Sequence, residues 1–197
     1  DPDLPVPAAL RIAKARLALA LAIGDLGEVL SLDAVVGELS AFADLALDHA
    51  IREAIEALTP GADPCGFSAI ALGKHGSREL NYSSDIDPIL IFDPETLPRR
   101  QKDEPVEAAV RIATRVMQTM QARDGNGYVF RVDLRLRPNP EVTTIALPAD
   151  AAISYYESSA LAWERAAFIR ARACAGDHVL GQGFLDAIRP FVWRRGL

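Results

Sequence analysis

The chain is poor in cysteine. Cys65 and Cys174 are the only two among 197 residues, and they lie far apart. That excludes a disulfide framework and any cysteine-based zinc pattern, and it points to a reducing, cytoplasmic compartment. Positive charge is also short: 21 Lys and Arg against 27 Asp and Glu leave a net charge of −6. A general nucleic-acid binder needs a basic excess to displace counterions from phosphates, so no nucleic-acid partner is expected. Long apolar runs are absent. The run from Leu17 to Ile23 is too short to span a bilayer, follows Arg11, Lys14 and Arg16, and has no small-residue cleavage site. It is read as neither a membrane span nor a signal peptide, and no membrane partner is expected. No internal repeat or low-complexity segment is present, and no Ser/His/Asp arrangement is visible. The opening Asp1-Pro2 in place of Met fits a piece of something longer.

What remains is ordinary for a globular domain. Half of the residues are hydrophobic and 24% are charged, enough to bury a core in one domain with an appended subdomain. Apolar residues at Leu10, Ala13, Leu17, Ala20 and Leu21 predict a helix over 8–24. A break at Gly24 and Gly27 precedes a second helix over 33–58, ended by Pro60-Gly61. These two are read as an N-terminal helical subdomain, 1–62, packing as a hairpin. Residues 63–197 are read as the core. Strands are predicted at 67–72, 89–92 and 128–137, and helices at 106–121, 149–157, 160–173 and 178–192. Strands after a helical lead-in, then helices again, predict an α+β fold: a mixed sheet with flanking helices.

The stretch "GKHGSRELNYSSDID", residues 73–87, follows the first strand. Asp85 and Asp87 stand two apart at the mouth of the next strand, so both leave on one face while Ile86 points to the core. At a separation of about 6 Å and an effective dielectric of about 20, two such carboxylates repel by roughly 3 kcal/mol. A divalent cation reverses that sign, and Mg²⁺ sits between carboxylates and phosphates in many sites. An isolated Asp-x-Asp is ordinarily a turn cap and a solvated residue. Here it follows Gly73 and Gly76, which let a backbone approach a phosphate held by successive amides, and Ser77, Asn81, Ser83 and Ser84 surround it. In "FRVDLRLRP", Arg131, Asp133, Arg135 and Arg137 share one strand face and Phe130, Val132, Leu134 and Leu136 the other. The charged face suits either solvent or anionic oxygens, which arginine grips in a planar fork. Asp133 could complete a metal triad with Asp85 and Asp87. In the predicted helix over 160–173, Arg165 and Arg172 share a stripe with Leu161, Phe168 and Ile169. No acid lies three or four residues away, so each needs a distant carboxylate or phosphate, or snorkels to water. His75 is read as a turn residue incidental to the site, and Trp163 and Cys174 as packing.

Together, "GKHGSRELNYSSDID", "RVDLRLRP" and "WERAAFIRAR" resemble the bifunctional glutamine synthetase adenylyltransferase/adenylyl-removing enzymes of bacteria, members of the nucleotidyltransferase superfamily. The chain departs from the family's first motif at His75 and Ser77. It carries Pro88 where leucine is usual and Asn139-Pro140-Glu141 in place of a glycine-containing turn. Pro88 lacks an amide donor and is expected at a strand start or edge. The resemblance implies a nucleotidyltransferase fold with Asp85, Asp87 and Asp133 as catalytic Mg²⁺ ligands. It implies Gly73, Lys74, Gly76, Ser77 and Ser84 around the nucleotide, and Arg131, Arg135 and Arg165 around phosphate oxygens. Phe130-Arg131-Val132-Asp133 and Trp163-Glu164-Arg165 are similar to the N-terminal, adenylyl-removing half, whose partners would be adenylylated glutamine synthetase, inorganic phosphate and ADP. The second catalytic half and a nitrogen-signalling regulator are partners implied for the full-length enzyme. Two alternatives stand beside this: an ATP-dependent adenylyltransferase acting on glutamine synthetase, and a non-catalytic nucleotide-binding or regulatory module.

Overall fold

The computed structural model describes residues 4–193. Helices α1 (Val6–Leu26) and α2 (Leu32–Leu58) lead into strand β1 (Phe67–Ala71), the short helix α3 (Gly73–Gly76), strand β2 (Pro88–Phe92) and helix α4 (Pro105–Gln121). Then follow β3 (Leu147–Pro148), α5 (Ala149–Ser158), α6 (Ala162–Phe168), β4 (Arg172–Gly176) and α7 (His178–Val192). The strands form one mixed sheet in the order β3-β2-β1-β4. β1 lies antiparallel to both β2 and β4, whereas β2 and β3 run parallel. The architecture is the α+β arrangement expected from the sequence.

Every residue of β1 and β2 is buried, because both faces of the sheet are covered. Phe67, Ala69, Ala71, Leu90 and Phe92 face the α1–α2–α4 side, where Leu47, Ile51, Ile55, Ile112 and Val116 pack. Ile70, Ile89 and Ile91 face α5 and α7, meeting Tyr156, Phe184 and Ile188. α2 and the sheet therefore share one continuous apolar cluster. Local signals set the helix starts: the Ser31 hydroxyl accepts the Ala34 amide at 3.2 Å, and Asp177 accepts the Leu180 amide at 3.0 Å. α1 continues past the expected break, through Gly24 to Leu26. Gly24 is there for room, since a Cβ would meet Leu30 at 2.6 Å.

Two elements differ from expectation. Residues 128–137 are not a strand; only Val132 bridges, in parallel, to Ile86. Local acceptors and donors outcompete the ladder. The amides of Val129 and Phe130 go to Met120 O, Asp133 Oδ1 accepts the Arg135 amide at 2.9 Å, and Arg137 donates to the carbonyls of Leu134, Pro140 and Thr144. The helix expected over 160–173 stops at Phe168, and Arg172 opens β4. Short apolar runs read equally well in either state, and pairing with β1 decides it. Pro88 starts β2, opposite Ala71, where its missing amide costs least.

β4 closes against β1 through Gly176, whose φ is +74°; a Cβ there would lie 2.2 Å from Phe67 O. Gly176→Ala is expected to lose about 2 kcal/mol or more, from left-handed strain plus a backbone clash. Its urea midpoint measures this, and a value equal to the parent's contradicts the packing described.

Candidate active site

The geometry of the acidic cluster comes from one clasp. The Ile86 amide donates to Arg131 O at 3.0 Å and the Asp133 amide to Ile86 O at 2.9 Å. Ile86 is buried and Val132 packs against the same cluster, so both point inward. Their neighbours must point outward. The register then sets Asp85 beside Arg131 and Asp87 beside Asp133. The sequence expectation that three carboxylates from two segments share one face is met by this bridge alone, without a full strand.

At this proximity the carboxylates act on one another. Burial pushes the Asp87 carboxyl up, and the negative charges of Asp133 and then Asp85 push it further. Asp85 is held by Arg131 Nε at 2.6 Å, while Arg131 also donates to Tyr128 Oη and Ser83 O. Arg135 donates to both oxygens of Asp133 and draws that carboxyl below its ordinary value. The donor set is all oxygen and negatively charged, which suits a hard divalent cation. The three aspartates are not gathered as tightly as a ligand set, since two of them are turned onto arginines.

Gly73 lies against this cluster with φ +53°, its Cβ position 3.5 Å from Asp87 Oδ2. A side chain here would be strained by the positive φ, although its Cβ would make only ordinary contact with the carboxylate. Lys74 is exposed beside it. Gly76 is enclosed, with Arg170 O at 2.6 Å from a built Cβ. Ser77 donates to Gly73 O at 3.1 Å, and Ser84 accepts the Asn81 amide at 3.0 Å, so both brace the turn from within. Arg165 lies half-buried on α6 and is not without a partner. Trp163, expected to pack, is instead exposed, while Cys174 is buried.

His75 is not incidental. It is fully buried, and its Nε2 lies 2.7 Å from Asp44 Oδ1. Arg172, freed from the expected helix, reaches the same carboxylate with Nη1 at 2.6 Å and Nη2 at 2.8 Å, and its Nη2 donates to His75 O at 3.0 Å. With Asp44 ionised, Nε2 of His75 carries the proton, and its buried Nδ1 has no partner among the described residues. Among the described residues, Asp44, His75 and Cys174 form the group whose donor atoms gather within 4.8 Å. Arg172 already supplies the balancing charge, and burial pushes the Cys174 thiol up, away from the thiolate a metal needs. This cluster is therefore an ion-paired strut. Sequence reading missed Asp44. The available signal was Asp44 and Asp48 at i, i+4 on one face of α2, both aimed at β4, where Asp48 accepts the Gly176 amide at 3.1 Å.

Lys14 of α1 closes the far side, over the Phe130 ring at 4.1 Å and bonded to Val129 O. Burial, then Arg131, pulls its pKa from 10.5 down to about 8. Between those values the unfolded chain binds more protons than the folded one, so this residue makes stability rise with pH from about 8. Lys14→Met is expected to flatten that rise between about pH 8 and 9, below ordinary phenol titration. Parallel slopes for parent and variant in denaturation across that range would contradict it.

A mixed sheet carrying a glycine turn at the end of one strand and an Asp-x-Asp entering the next defines a nucleotidyltransferase-like fold. Over residues 6–187 the sequence matches the family described as glutamate-ammonia ligase adenylyltransferase, and the chain belongs to that family. It is 49% identical over 199 residues to a bifunctional glutamine synthetase adenylyltransferase/adenylyl-removing enzyme of Caulobacter vibrioides, covering 95% of this chain and 20% of that protein. Proteins of the same description from Xanthobacter autotrophicus and Rhizobium meliloti are 46% and 42% identical, covering 96% and 100% of this chain and 20% and 21% of theirs. The chain thus spans about a fifth of the length of these relatives. Among the described residues, no helix is long and apolar enough to cross a membrane.

Proposed function

We propose that this chain is an adenylyl-removing domain, acting on adenylylated glutamine synthetase by phosphorolysis. An oxygen of inorganic phosphate bonds to the α-phosphorus, the bond from that phosphorus to the tyrosine oxygen breaks, the phenolate departs, and ADP is released. The observation that carries the reading is the Ile86–Val132 register, which sets Asp87 beside Asp133 and Asp85 beside Arg131. Asp85, Asp87 and Asp133 would hold Mg²⁺; when bound, the ion would offset negative charge on the attacking and leaving oxygens.

The chain's own groups position and neutralise. Gly73 gives the phosphate chain a close approach. Arg131 and Arg135 sit on the rim with their guanidinium groups exposed, cations within reach of a second anion, inorganic phosphate. Arg131 also supports removal, because Phe130-Arg131-Val132-Asp133 is similar to the motif of the adenylyl-removing half of the resembled family. Phosphate is already nucleophilic, so no strong general base is required. Glutamine synthetase, phosphate, ADP and Mg²⁺ are thus the proposed partners, with the second catalytic half and the nitrogen-signalling regulator beyond this chain.

The test is incubation of the chain with Mg²⁺, phosphate and adenylylated glutamine synthetase. ADP release that depends on phosphate supports the reading. Consumption of ATP with formation of pyrophosphate on the unmodified enzyme would replace it with the attaching activity, and no turnover in either direction would leave a non-catalytic module.

A further inference from the structure

The proposed site needs the α3 turn to stay against Asp87, yet the turn is only four residues long. A helix that short does not hold itself. Its fixed points are therefore external. On one side, Gly76 is pressed between Arg170 O and Ala71 O, which a Cβ would meet at 2.6 and 2.9 Å. On the other, Arg172 donates to His75 O in the middle of the turn, while its two terminal nitrogens grip Asp44 of α2. Asp44 in turn accepts from the His75 ring. The guanidinium thus ties three elements together: β4, which carries it; α2, which orients it; and the turn, which it holds by the backbone.

We propose that Arg172 is a positioning residue for the nucleotide turn, oriented by Asp44, and that it acts on the reaction by fixing where the turn's backbone stands relative to Asp87. This rests on the proposed function for its kinetic consequence but not for its structural one. Among the described residues, Arg172 does not bond to the acidic cluster: its polar contacts are Asp44 and His75, and its buried Nε has no partner there. Planarity matters here, because one fork must satisfy a carboxylate and a carbonyl at once. A lysine has the charge without that fork.

The experiment compares the parent with Arg172→Lys and Arg172→Met. The first readout is amide hydrogen exchange. Exchange at residues 73–77 is expected to accelerate at least about 10-fold in Arg172→Met, and less in Arg172→Lys, while Ala69 and Ala71 of β1 keep parental protection. The second is kinetic. kcat for ADP release is expected to fall roughly 10- to 100-fold, the range for groups that orient a site without entering it, with KM for the adenylylated protein within about 3-fold of the parent. Unchanged exchange at 73–77 in a folded variant overturns the proposal, as does acceleration spread equally over β1 and β4, which would mark plain destabilisation. If Arg172→Met fails to fold, Arg172→Lys, which keeps the charge, decides by the same two criteria. A parent without ADP release would refute the proposed function, while the exchange pattern would still settle the positioning role.

Discussion

Asp87→Asn is expected to lower the proposed phosphate-dependent ADP release by roughly 1,000-fold or more, about 4 kcal/mol of lost transition-state stabilisation, and at the same time to raise the melting temperature. Both effects have one cause. Asp87 lies beside Asp133 and near Asp85, and burial plus those two charges push its carboxyl up. A group whose folded value is raised supports folding fully below its unfolded value and loses that support as pH rises through the folded value. At neutral pH the ionised Asp87 is therefore a burden on the fold, and asparagine relieves it by imitating the protonated acid. The same substitution removes the oxygen charge that the proposed divalent cation would need. Added Mg²⁺ should raise the melting temperature of the parent but not of the variant. A variant that melts below the parent, or that keeps turnover within 10-fold, contradicts the reading of this cluster. Such opposition between stability and activity is expected where like charges are held together for function.

Asp44→Ala is expected to cost about 3 kcal/mol of folding stability at neutral pH, the low end of the range for breaking a buried ion pair, because the site is partly open to solvent. Its side chain is 21% exposed and that of Arg172 19%, while His75 is fully buried. Removing the carboxylate strands both donors. Burial alone would push the Asp44 carboxyl up, but the hydrogen bonds from His75 and Arg172 outweigh it and hold it below its ordinary value. Its folded value is thus depressed. The stability it brings is present above the unfolded carboxylate value and is lost as pH falls through the folded one. Urea denaturation from pH 7 down to about 3 should show parent and variant converging at the acid end. A double variant with Arg172→Met should recover part of the loss, since the two residues form one pair. Equal losses at pH 7 and pH 3 would contradict this account.

Much of this was legible beforehand. The period-two logic of Asp85-Ile86-Asp87 and of Arg131-Val132-Asp133 holds, because it depends only on which way neighbouring side chains leave an extended backbone. The helices α2, α4, α5 and α7 carry clear apolar spacing, and Ser31 and Asp177 cap α2 and α7. What could not be read was the state of segments whose local preferences compete. Asp133 bends its own chain by accepting the Arg135 amide, which alternation does not reveal. Arg172 lies in a run that suits a helix until β1 offers a partner. Nor does any local pattern show that Asp44, 31 residues before His75 and 128 before Arg172, is the acid those residues lacked.

The single clasp between Ile86 and Val132 also governs how this chain can change over evolutionary time. Residues 100–102 form an exposed turn between β2 and α4, where an insertion or deletion leaves the sheet and the clasp in place. Between 130 and 133 even one added or lost residue would turn Val132 out among the acids and bury a charge in its place. Lineages descended from this sequence should therefore drift freely in loop length at the first place and keep a fixed residue count at the second.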